Sequence, residues 1–309
     1  MAERRATMKD VARASGVSPA TVSFVLNETP GQTIPAETRE RVRAAAVALG
    51  YQPHGLARAL REGRSRFVLL GIGGLRGGRS LQGFVRGLSA ELRTQGYGLL
   101  VYPGPSTEPG HADLVRDLRP YAVIDLAEVY ATRTDADDGG WVDGLAAHTM
   151  TQLAHLVNRG HRSIAFAIPA EPDLDGLATL RAKLAEEAGR RLGIGALTLV
   201  SIPESPRGAR EAVGRLCDDS PDVTAVAAFD DEIALRLLGG LSDLGVAVPE
   251  EMAVIGFDDS SFGVSWRPTL TTVRIDGELF GRRAARTILG MGSADRPGSA
   301  ASVIVRETT

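Results

Sequence analysis

The chain has 309 residues, of which 43% are hydrophobic and 24% charged, a composition that is typical of globular proteins and excludes a largely disordered chain. No apolar run approaches the roughly 20 residues of a membrane helix, and the charged N-terminus has no apolar stretch behind it as a secretory signal would. The one cysteine, Cys217, excludes an intramolecular disulfide and a cysteine-based metal cluster. We therefore expect a cytoplasmic protein.

The net charge of −3 is unevenly distributed along the chain. Residues 1–66 carry a charge of +5, and the remainder carries −8. A basic segment ahead of an acidic body favours a polyanion such as nucleic acid as its partner, although uneven use of arginine alone gives the same asymmetry.

The basic segment predicts two short helices joined by a tight turn. Thr7 and Asp10 suit the start of the first helix, Gly16 ends it, and Ser18-Pro19 suits the start of the second. The buried stripes expected on these helices are Met8, Val11 and Ala14 on the first and Val22, Val25 and Leu26 on the second. This spacing is typical of a helix-turn-helix, although such pairs also occur in proteins that never bind DNA.

Two further features of this segment favour DNA binding. Thr21, Ser23 and Asn27 are small polar residues on the exposed side of the second helix, where they suit phosphate oxygens. A third helix is predicted from about Pro35 to Leu49, ended by Gly50. Its expected inward residues are Val42, Ala45, Ala46 and Leu49, and its outward ones are Arg39, Arg41 and Arg43.

The order of motifs in residues 7–66 resembles the head of the lactose-repressor/galactose-repressor (LacI/GalR) family of transcriptional regulators. The matching stretches are Met8-Lys9-Asp10-Val11-Ala12, Gly16-Val17-Ser18, Ala20-Thr21-Val22-Ser23, Val25-Leu26-Asn27, Glu37-Thr38-Arg39-Glu40-Arg41-Val42 and Leu49-Gly50-Tyr51-Gln52-Pro53. The resemblance implies a regulator, most often a repressor, that binds a near-palindromic operator as a homodimer. The DNA contacts that it implies are Thr7, Ser18, Pro19, Ala20, Thr21, Ser23, Phe24, Asn27, Arg39, Tyr51, His54, Ala57, Arg58 and Leu60.

The same resemblance implies a hinge helix after Pro53 that folds only on DNA and pushes Leu60 into the minor groove. An apolar wedge between base steps offsets the cost of unstacking through bending and added contact. Gly55 weakens an isolated helix, which is consistent with folding on binding. The alternative interpretation of Leu56 and Leu60 is an ordinary helical stripe.

The head departs from the family pattern where bases are read. Pro19, Ala20 and Phe24 cannot make the bidentate hydrogen bonds that distinguish guanine or adenine. Either the head reads thymine methyl groups and DNA shape, or Phe24 packs inward and the specificity is low. The loop Glu28–Pro35 is also longer than usual in the family.

Beyond Arg66, apolar strands alternate with amphipathic helices, which predicts a doubly wound α/β fold with parallel strands. Strands are predicted at Phe67–Ile72, Gly98–Tyr102, Tyr121–Leu126, Ser163–Ile168, Leu197–Ile202, Val223–Phe229 and Met252–Phe257. Helices are predicted near 80–95, 110–118, 144–158, 174–191, 208–219, 231–244 and 276–290.

This body resembles the periplasmic-binding-protein-like domain of the same family, which has two lobes and an effector in the cleft between them. The matching stretches are Gly160-His161-Arg162-Ser163-Ile164-Ala165-Phe166, Val248-Pro249-Glu250-Glu251-Met252-Ala253-Val254-Ile255-Gly256-Phe257-Asp258-Asp259, Pro268-Thr269-Leu270-Thr271-Thr272-Val273 and Gly281-Arg282-Arg283-Ala284-Ala285. We expect a DNA-binding head at 1–52, a hinge and linker at 53–66, and an effector-binding and dimerisation domain at 67–309. The segment Ala127–Gly140 is shorter than its family counterpart, so the first lobe is expected to lack a strand and a helix. We see no heptad repeat near residue 309 that would support a tetramer through a terminal coiled coil, so a tetramer is not expected.

The resemblance places effector contacts at Leu75, Arg76, Ser80, Arg181, Asp230 and Asp258. Gly176 stands where an arginine commonly grips the sugar, and Asp230-Asp231 stands where Asn-Asp is usual. Asp258 follows a strand, where α/β folds bind ligands, although it can also cap the turn after it. The resemblance favours a neutral sugar, the two acids Asp230 and Asp258 favour a cationic or hydroxyl-rich ligand, and loss of sensing is a third possibility.

Enzyme functions fit the sequence poorly, and we expect no cofactor and no metal site. Gly71, Gly73 and Gly77 approach a dinucleotide-binding turn, but the second strand ends in Val101-Tyr102-Pro103 without the acid that would hold a ribose. His148 and His155 lack metal-ligand spacing. The remaining alternative is a small-molecule-binding protein whose DNA-binding head is degenerate.

Overall fold

The computed structural model describes residues 6–26, 31–51, 65–73, 78–104, 106–126, 141–171, 175–292 and 301–309. The chain divides into two compact units, Met1–Arg66 and Phe67–Thr309, which are called the head and the body below. Within the described ranges, no helix has both the length and the apolar character needed to cross a membrane.

The described part of the head contains three helices, α1 (Met8–Ser15), α2 (Pro19–Leu26) and α3 (Ala36–Ala48). Thr7 and Asp10 form a reciprocal capping box at the start of α1, and Gly16 ends it with a left-handed φ of 66° that glycine adopts without strain. The first helix therefore begins and ends where its capping residues predicted, and the second begins where Ser18-Pro19 predicted.

The core of the head is formed by one apolar side of each helix. Val11, Val22, Val25 and Val42 are buried in it, together with the ring of Tyr51, of which only 8% is exposed. The core prediction is wrong for two residues, since Ala14 and Leu49 are exposed. Their places are taken by Ala12 and Tyr51, since α3 ends before Leu49 and the chain then turns Tyr51 inward.

The first lobe of the body is built on a parallel sheet with the strand order β2-β1-β3. Its strands are β1 (Phe67–Gly71), β2 (Gly98–Tyr102) and β3 (Ala122–Asp125), and its helices are α4 (Arg79–Thr94) and α5 (Pro109–Leu118). The segment expected to be shortened, 127–140, lies outside the described residues.

The second lobe is built on a six-stranded sheet with the order β5-β4-β6-β7-β8-β9. Its strands are β4 (Ile164–Pro169), β5 (Thr198–Ile202), β6 (Ala225–Ala228), β7 (Ala253–Phe257), β8 (Thr271–Ile275) and β9 (Ala301–Ile304), of which only β9 pairs antiparallel. The other helices in the described part of the body are α6 (Trp141–Asn158), α7 (Asp175–Arg191), α8 (Pro206–Asp219), α9 (Asp231–Leu244) and α10 (Gly277–Ile288). Neighbouring residues of β4, such as Ala165 and Phe166, belong to two different core clusters, so both faces of the sheet are covered and the doubly wound prediction is confirmed.

The helix α10, which follows the second-lobe strand β8, packs closely on the first-lobe helix α4. A Cβ atom at Gly281 would overlap the carbonyl oxygen of Phe84, and one at Gly87 would overlap that of Glu278. Glycine at these positions therefore allows the two helix backbones to touch, and the contact joins the first lobe to the end of the second.

Candidate functional site

The exposed side of α2 carries the DNA contacts implied by the resemblance. Pro19 and Ala20 are exposed, and Thr21, Ser23 and Phe24 are half-buried. Phe24 is absent from the described side chains that form the head core or pack on it, so the inward packing considered above is not observed. The helix thus presents an apolar and small polar surface without a long charged side chain.

Local hydrogen bonds hold this surface in place. The Ser18 hydroxyl accepts a hydrogen bond from the Thr21 amide at 3.1 Å and caps α2. Arg39 donates to the carbonyl oxygen of Ile34 at 3.2 Å, and Arg41 donates to that of Ser15 at 3.0 Å. Arg39 therefore braces the segment before α3, Arg41 ties α3 to the end of α1, and both add positive charge to the head.

Some predicted site residues lie outside the described residues. They are Asn27, His54, Ala57, Arg58, Leu60, Leu75 and Arg76, together with most of the loop that follows α2.

In the body, a cavity of about 590 Å³ lies between the lobes at the carboxyl ends of the parallel strands. Ser80 reaches it from the start of α4, and Arg181 from α7. Asp230 follows β6 and Asp258 follows β7. The structure thus brings together all four of the described residues that were expected to contact an effector.

Asp258 links the two lobes across this cavity. Its Oδ1 accepts a hydrogen bond from the Ser80 amide at 2.6 Å, so it caps α4 from the other lobe rather than the turn that follows it. A Cβ atom at Gly78 would overlap Asp258 Oδ2, which explains the glycine before α4. Burial raises the pKa of Asp258 to about 6, although the hydrogen bond from the Ser80 amide opposes the shift.

The two neighbouring acids at the start of α9 have different surroundings. Asp230 caps the helix, since its Oδ1 accepts from the Ile233 amide at 2.8 Å. Asp231 is buried and accepts from the Thr272 hydroxyl and the Ser260 amide, both at 2.5 Å. Burial raises the pKa of Asp230, and it raises that of Asp231 to about 7.

Arg181 forms a buried network that sequence reasoning missed. Only 2% of the residue is exposed, and its guanidinium carbon lies 3.5 Å from the centre of the Phe257 ring. The guanidinium donates to the carbonyl oxygen of Phe229 and, at 2.9 Å, to Oε1 of Gln152. Burial lowers the pKa of Arg181 to about 9, so it remains a cation at neutral pH. Gln152 Nε2 in turn donates to the Ala228 carbonyl at 2.8 Å, so the network ties α6 and α7 to the end of β6.

His148 also lines the cavity, although sequence reasoning did not place it there. It is 3% exposed, it lines the cavity, and its ring packs edge-on against Phe280. Burial and the charge of Arg181 lower its pKa to about 4, so the imidazole is neutral at pH 7. Both His148 and Gln152 interrupt the apolar stripe of α6 at a spacing of four residues, and this interruption is the signal that would have found them.

The described residues contain no group of three or more His, Cys, Asp or Glu side chains placed to hold a metal ion. The cavity chemistry therefore depends on carboxylates, a buried guanidinium, a neutral imidazole and aromatic walls.

Comparisons with known proteins cover nearly the whole chain. Residues 7–54 match the family described as bacterial regulatory proteins, lacI family, and residues 153–309 match the periplasmic binding protein-like domain. The HTH-type transcriptional regulator GntR of Pseudomonas aeruginosa is 30% identical over 315 residues, which cover 93% of this chain and 89% of that protein. The regulator GalR of Escherichia coli is 28% identical over 320 residues, which cover 94% and 90%.

A solved structure of the lac repressor dimer bound to operator and the anti-inducer ONPF has a similar fold. Its TM-score is 0.73 and its sequence identity 24%, with 99% of each chain covered.

Proposed function

Since the chain belongs to the lacI family of bacterial regulatory proteins and is a DNA-binding transcriptional regulator, we propose that it represses its target genes. It does so by binding a near-palindromic operator as a homodimer. The exposed side of α2 supports the operator-binding role most directly. The helix α2 follows the capped helix α1 and the turn at Gly16, whose φ is left-handed. That geometry presents a short recognition helix with Pro19 and Ala20 at its exposed start.

We propose that the DNA contacts are those which the resemblance implies, with 1–52 as the DNA-binding head, 53–66 as the hinge and linker, and 67–309 as the effector-binding and dimerisation domain. Thr21 and Ser23 suit phosphate oxygens, whereas Ala20 and Phe24 suit thymine methyl groups. Since the partner is chromosomal DNA, the proposal places the protein in the cytoplasm.

The test is footprinting on the DNA that flanks the gene, followed by affinity measurements from low to high salt. A specific regulator protects a defined patch, loses affinity steeply with salt and keeps a sequence preference. Uniformly weak binding to every duplex would instead support a small-molecule-binding protein with a degenerate head.

An Ala20→Asp variant sharpens this test, because it puts a negative charge on the exposed face of α2 while leaving the head core intact. We expect an affinity loss of roughly a hundredfold, since a carboxylate beside phosphates is repelled. Ala44→Asp, on the exposed side of α3, is the matched control.

The role proposed for Leu60 has its own test, which compares the wild type and Leu60→Ala on the footprinted operator. Affinity and DNA bending should fall together, because the inserted side chain unstacks a base step, and the bend that results brings more DNA into contact with the protein. Unchanged bending removes the wedge from the proposal.

We further propose that a small molecule in the cavity between the lobes controls operator binding. Asp258 supports this role, since it holds the start of α4 from the opposite lobe, and a ligand that replaces its hydrogen bond to Ser80 changes how the lobes close. Asp258→Ala should abolish the response to the effector while the ligand-free protein still binds its operator.

A further inference from the structure

Most charged groups around the cavity are already paired with protein groups. Arg79 and Arg86 belong to the cavity lining, and each is paired with an acid outside it: Arg79 lies 3.9 Å from Asp259, and Arg86 lies 3.1 Å from Glu278. Glu232 is paired with Arg236, which also reaches Glu171 at 2.6 Å. Pairs of this kind leave little net charge for a ligand.

The buried cation in the cavity wall is also committed. The terminal nitrogens of Arg181 donate to Phe229 and Gln152, its flat face lies against Phe257, and its Nε, which has no hydrogen-bond partner among the described residues, is buried. An anionic ligand therefore finds no arginine fork free in this wall, although the positive charge still balances one carboxylate.

Asp230 and Asp258 remain as two acids that face the same space. One oxygen of Asp230 caps α9, and no described residue bonds its other oxygen. Asp258 is half-buried, and the charge of Asp230 contributes to raising its pKa. With Arg181 balancing one of them, the cavity holds one uncompensated negative charge among these three residues.

His148 supplies an independent sign of a ligand. It is almost completely buried, it lines the cavity, and among the described residues none bonds to its ring nitrogens. A buried polar side chain without a partner is uncommon in folded proteins. A neutral imidazole presents one donor and one acceptor, which matches a hydroxyl group.

We propose that the effector is a hydroxylated organic cation, of the amino-sugar class, whose ammonium group binds Asp230 and Asp258 and whose hydroxyl groups bind His148. This inference rests on the proposed effector role of the cavity. The ammonium group supplies the charge that the two carboxylates lack, and charge-assisted hydrogen bonds are the strong ones.

The cavity thus selects against two other ligand classes. A sugar phosphate would bring more negative charge to a site whose arginines are occupied. A neutral sugar would leave one of the two carboxylates without a balancing charge.

The test measures binding of matched pairs of amine and hydroxyl compounds to the full-length protein by calorimetry. The pairs are glucosamine with glucose, galactosamine with galactose, and mannosamine with mannose, and glucose 6-phosphate serves as the anionic probe. We expect the amine of at least one pair to bind roughly tenfold or more tightly than its neutral counterpart, the ratio that one charge-assisted hydrogen bond gives.

An Asp230→Asn variant should remove this preference and still fold, because asparagine caps a helix as well as aspartate does. Asp243→Asn, at an exposed site on the same helix, is the matched control and should leave the preference intact. If the preference survives Asp230→Asn, the ammonium group lies elsewhere and the proposal is wrong.

The pH dependence supplies a second signature. Amine affinity should rise roughly tenfold between pH 5 and pH 7 as Asp258 ionises, a range in which the ammonium group keeps its proton, whereas binding of a neutral sugar at a hydroxyl-recognition site would not rise in this way. The other charged or titratable groups in the cavity lining are Arg79, Arg86, His148, Arg181, Asp230, Asp231 and Glu232.

Failure of this inference and failure of the proposed function give different results. Neutral or phosphorylated sugars that bind as tightly as the amines, or a panel in which no amine binds to a protein that still protects its operator, overturn the ligand class alone. A protein that protects no DNA overturns the regulator proposal, whatever it binds.

Discussion

At the residue scale, the most unusual feature is the fully buried guanidinium of Arg181. Its removal leaves Oε1 of Gln152 and the carbonyl oxygen of Phe229 without their donors. We expect Arg181→Met, which keeps the side-chain length, to lower the free energy of unfolding by about 2–4 kcal/mol. Urea denaturation followed by circular dichroism measures this change.

Arg190→Met is the control for this substitution, since Arg190 is exposed on the same helix. It should change the free energy of unfolding by less than about 0.5 kcal/mol. Equal stability of the two variants would show that the buried network adds no net stability.

Individual cavity residues were predictable where the topology alone determines their position. Asp230 and Asp258 follow strands, so their place at the carboxyl edge of the sheet follows from the strand pattern. His148 and Gln152 lie within α6, where the only local signal is the interruption that they make in its apolar stripe, and the partners that bury them depend on how that helix packs. The burial of Arg181 went unpredicted for the same reason, since its partners lie on α6 and after β6.

At the element scale, strands β1 to β7 were predicted to within a few residues because each is a short apolar run between helical patterns. The strands β8 and β9 were missed. Thr271–Ile275 begins with two threonines and contains an arginine, and β9 is held by an antiparallel partner rather than by local pattern. Pairing across distant segments decided both strands.

The contact between α4 and α10 gives a prediction at this scale. Gly281→Ala should lower the free energy of unfolding by about 2–3 kcal/mol, because the new methyl group meets the backbone carbonyl of Phe84 rather than a movable side chain. Thermal unfolding should show a melting temperature lower by roughly 4–12 °C for a unit of this size.

Gly239→Ala, in the middle of α9, is the matched control. A Cβ atom there meets nothing within 4 Å, so the substitution should stabilise the protein by up to about 1 kcal/mol. Opposite signs at the two glycines are expected, and a neutral Gly281→Ala would mean that the helices separate without cost.

At the scale of the whole molecule, the buried acids make the stability of the body depend on pH. The pKa of Asp258 is about 6 in the folded protein, above its ordinary value, so its contribution to stability is complete at low pH and is lost as the pH rises through 6. Asp258→Asn stays neutral. Between pH 4 and pH 7.5, the free energy of unfolding of this variant should therefore rise by about 1–2 kcal/mol relative to that of the wild type. This difference is smaller than the full pKa shift would give, because the carboxyl group is only half-buried. Melting temperatures of the two proteins at both pH values test this, and a constant difference would contradict it.

The proposed homodimer requires an apolar contact surface on the body, and one short segment has that character. Phe262, Val264 and Trp266 are 72%, 49% and 38% exposed, in a stretch of five residues. Trp266→Glu should shift the protein from dimer to monomer in sedimentation experiments, because a buried carboxylate at the contact is costly. It should also weaken operator binding by roughly a hundredfold, since each head then binds its half-site alone.

Leu199→Glu, at an exposed position on the outer strand β5, separates this effect from a general one of added charge. It should leave both the sedimentation coefficient and the operator affinity unchanged. If Trp266→Glu stays dimeric with its melting temperature intact, the contact surface lies elsewhere on the body. If it becomes monomeric but keeps its full operator affinity, the two heads do not act as a linked pair.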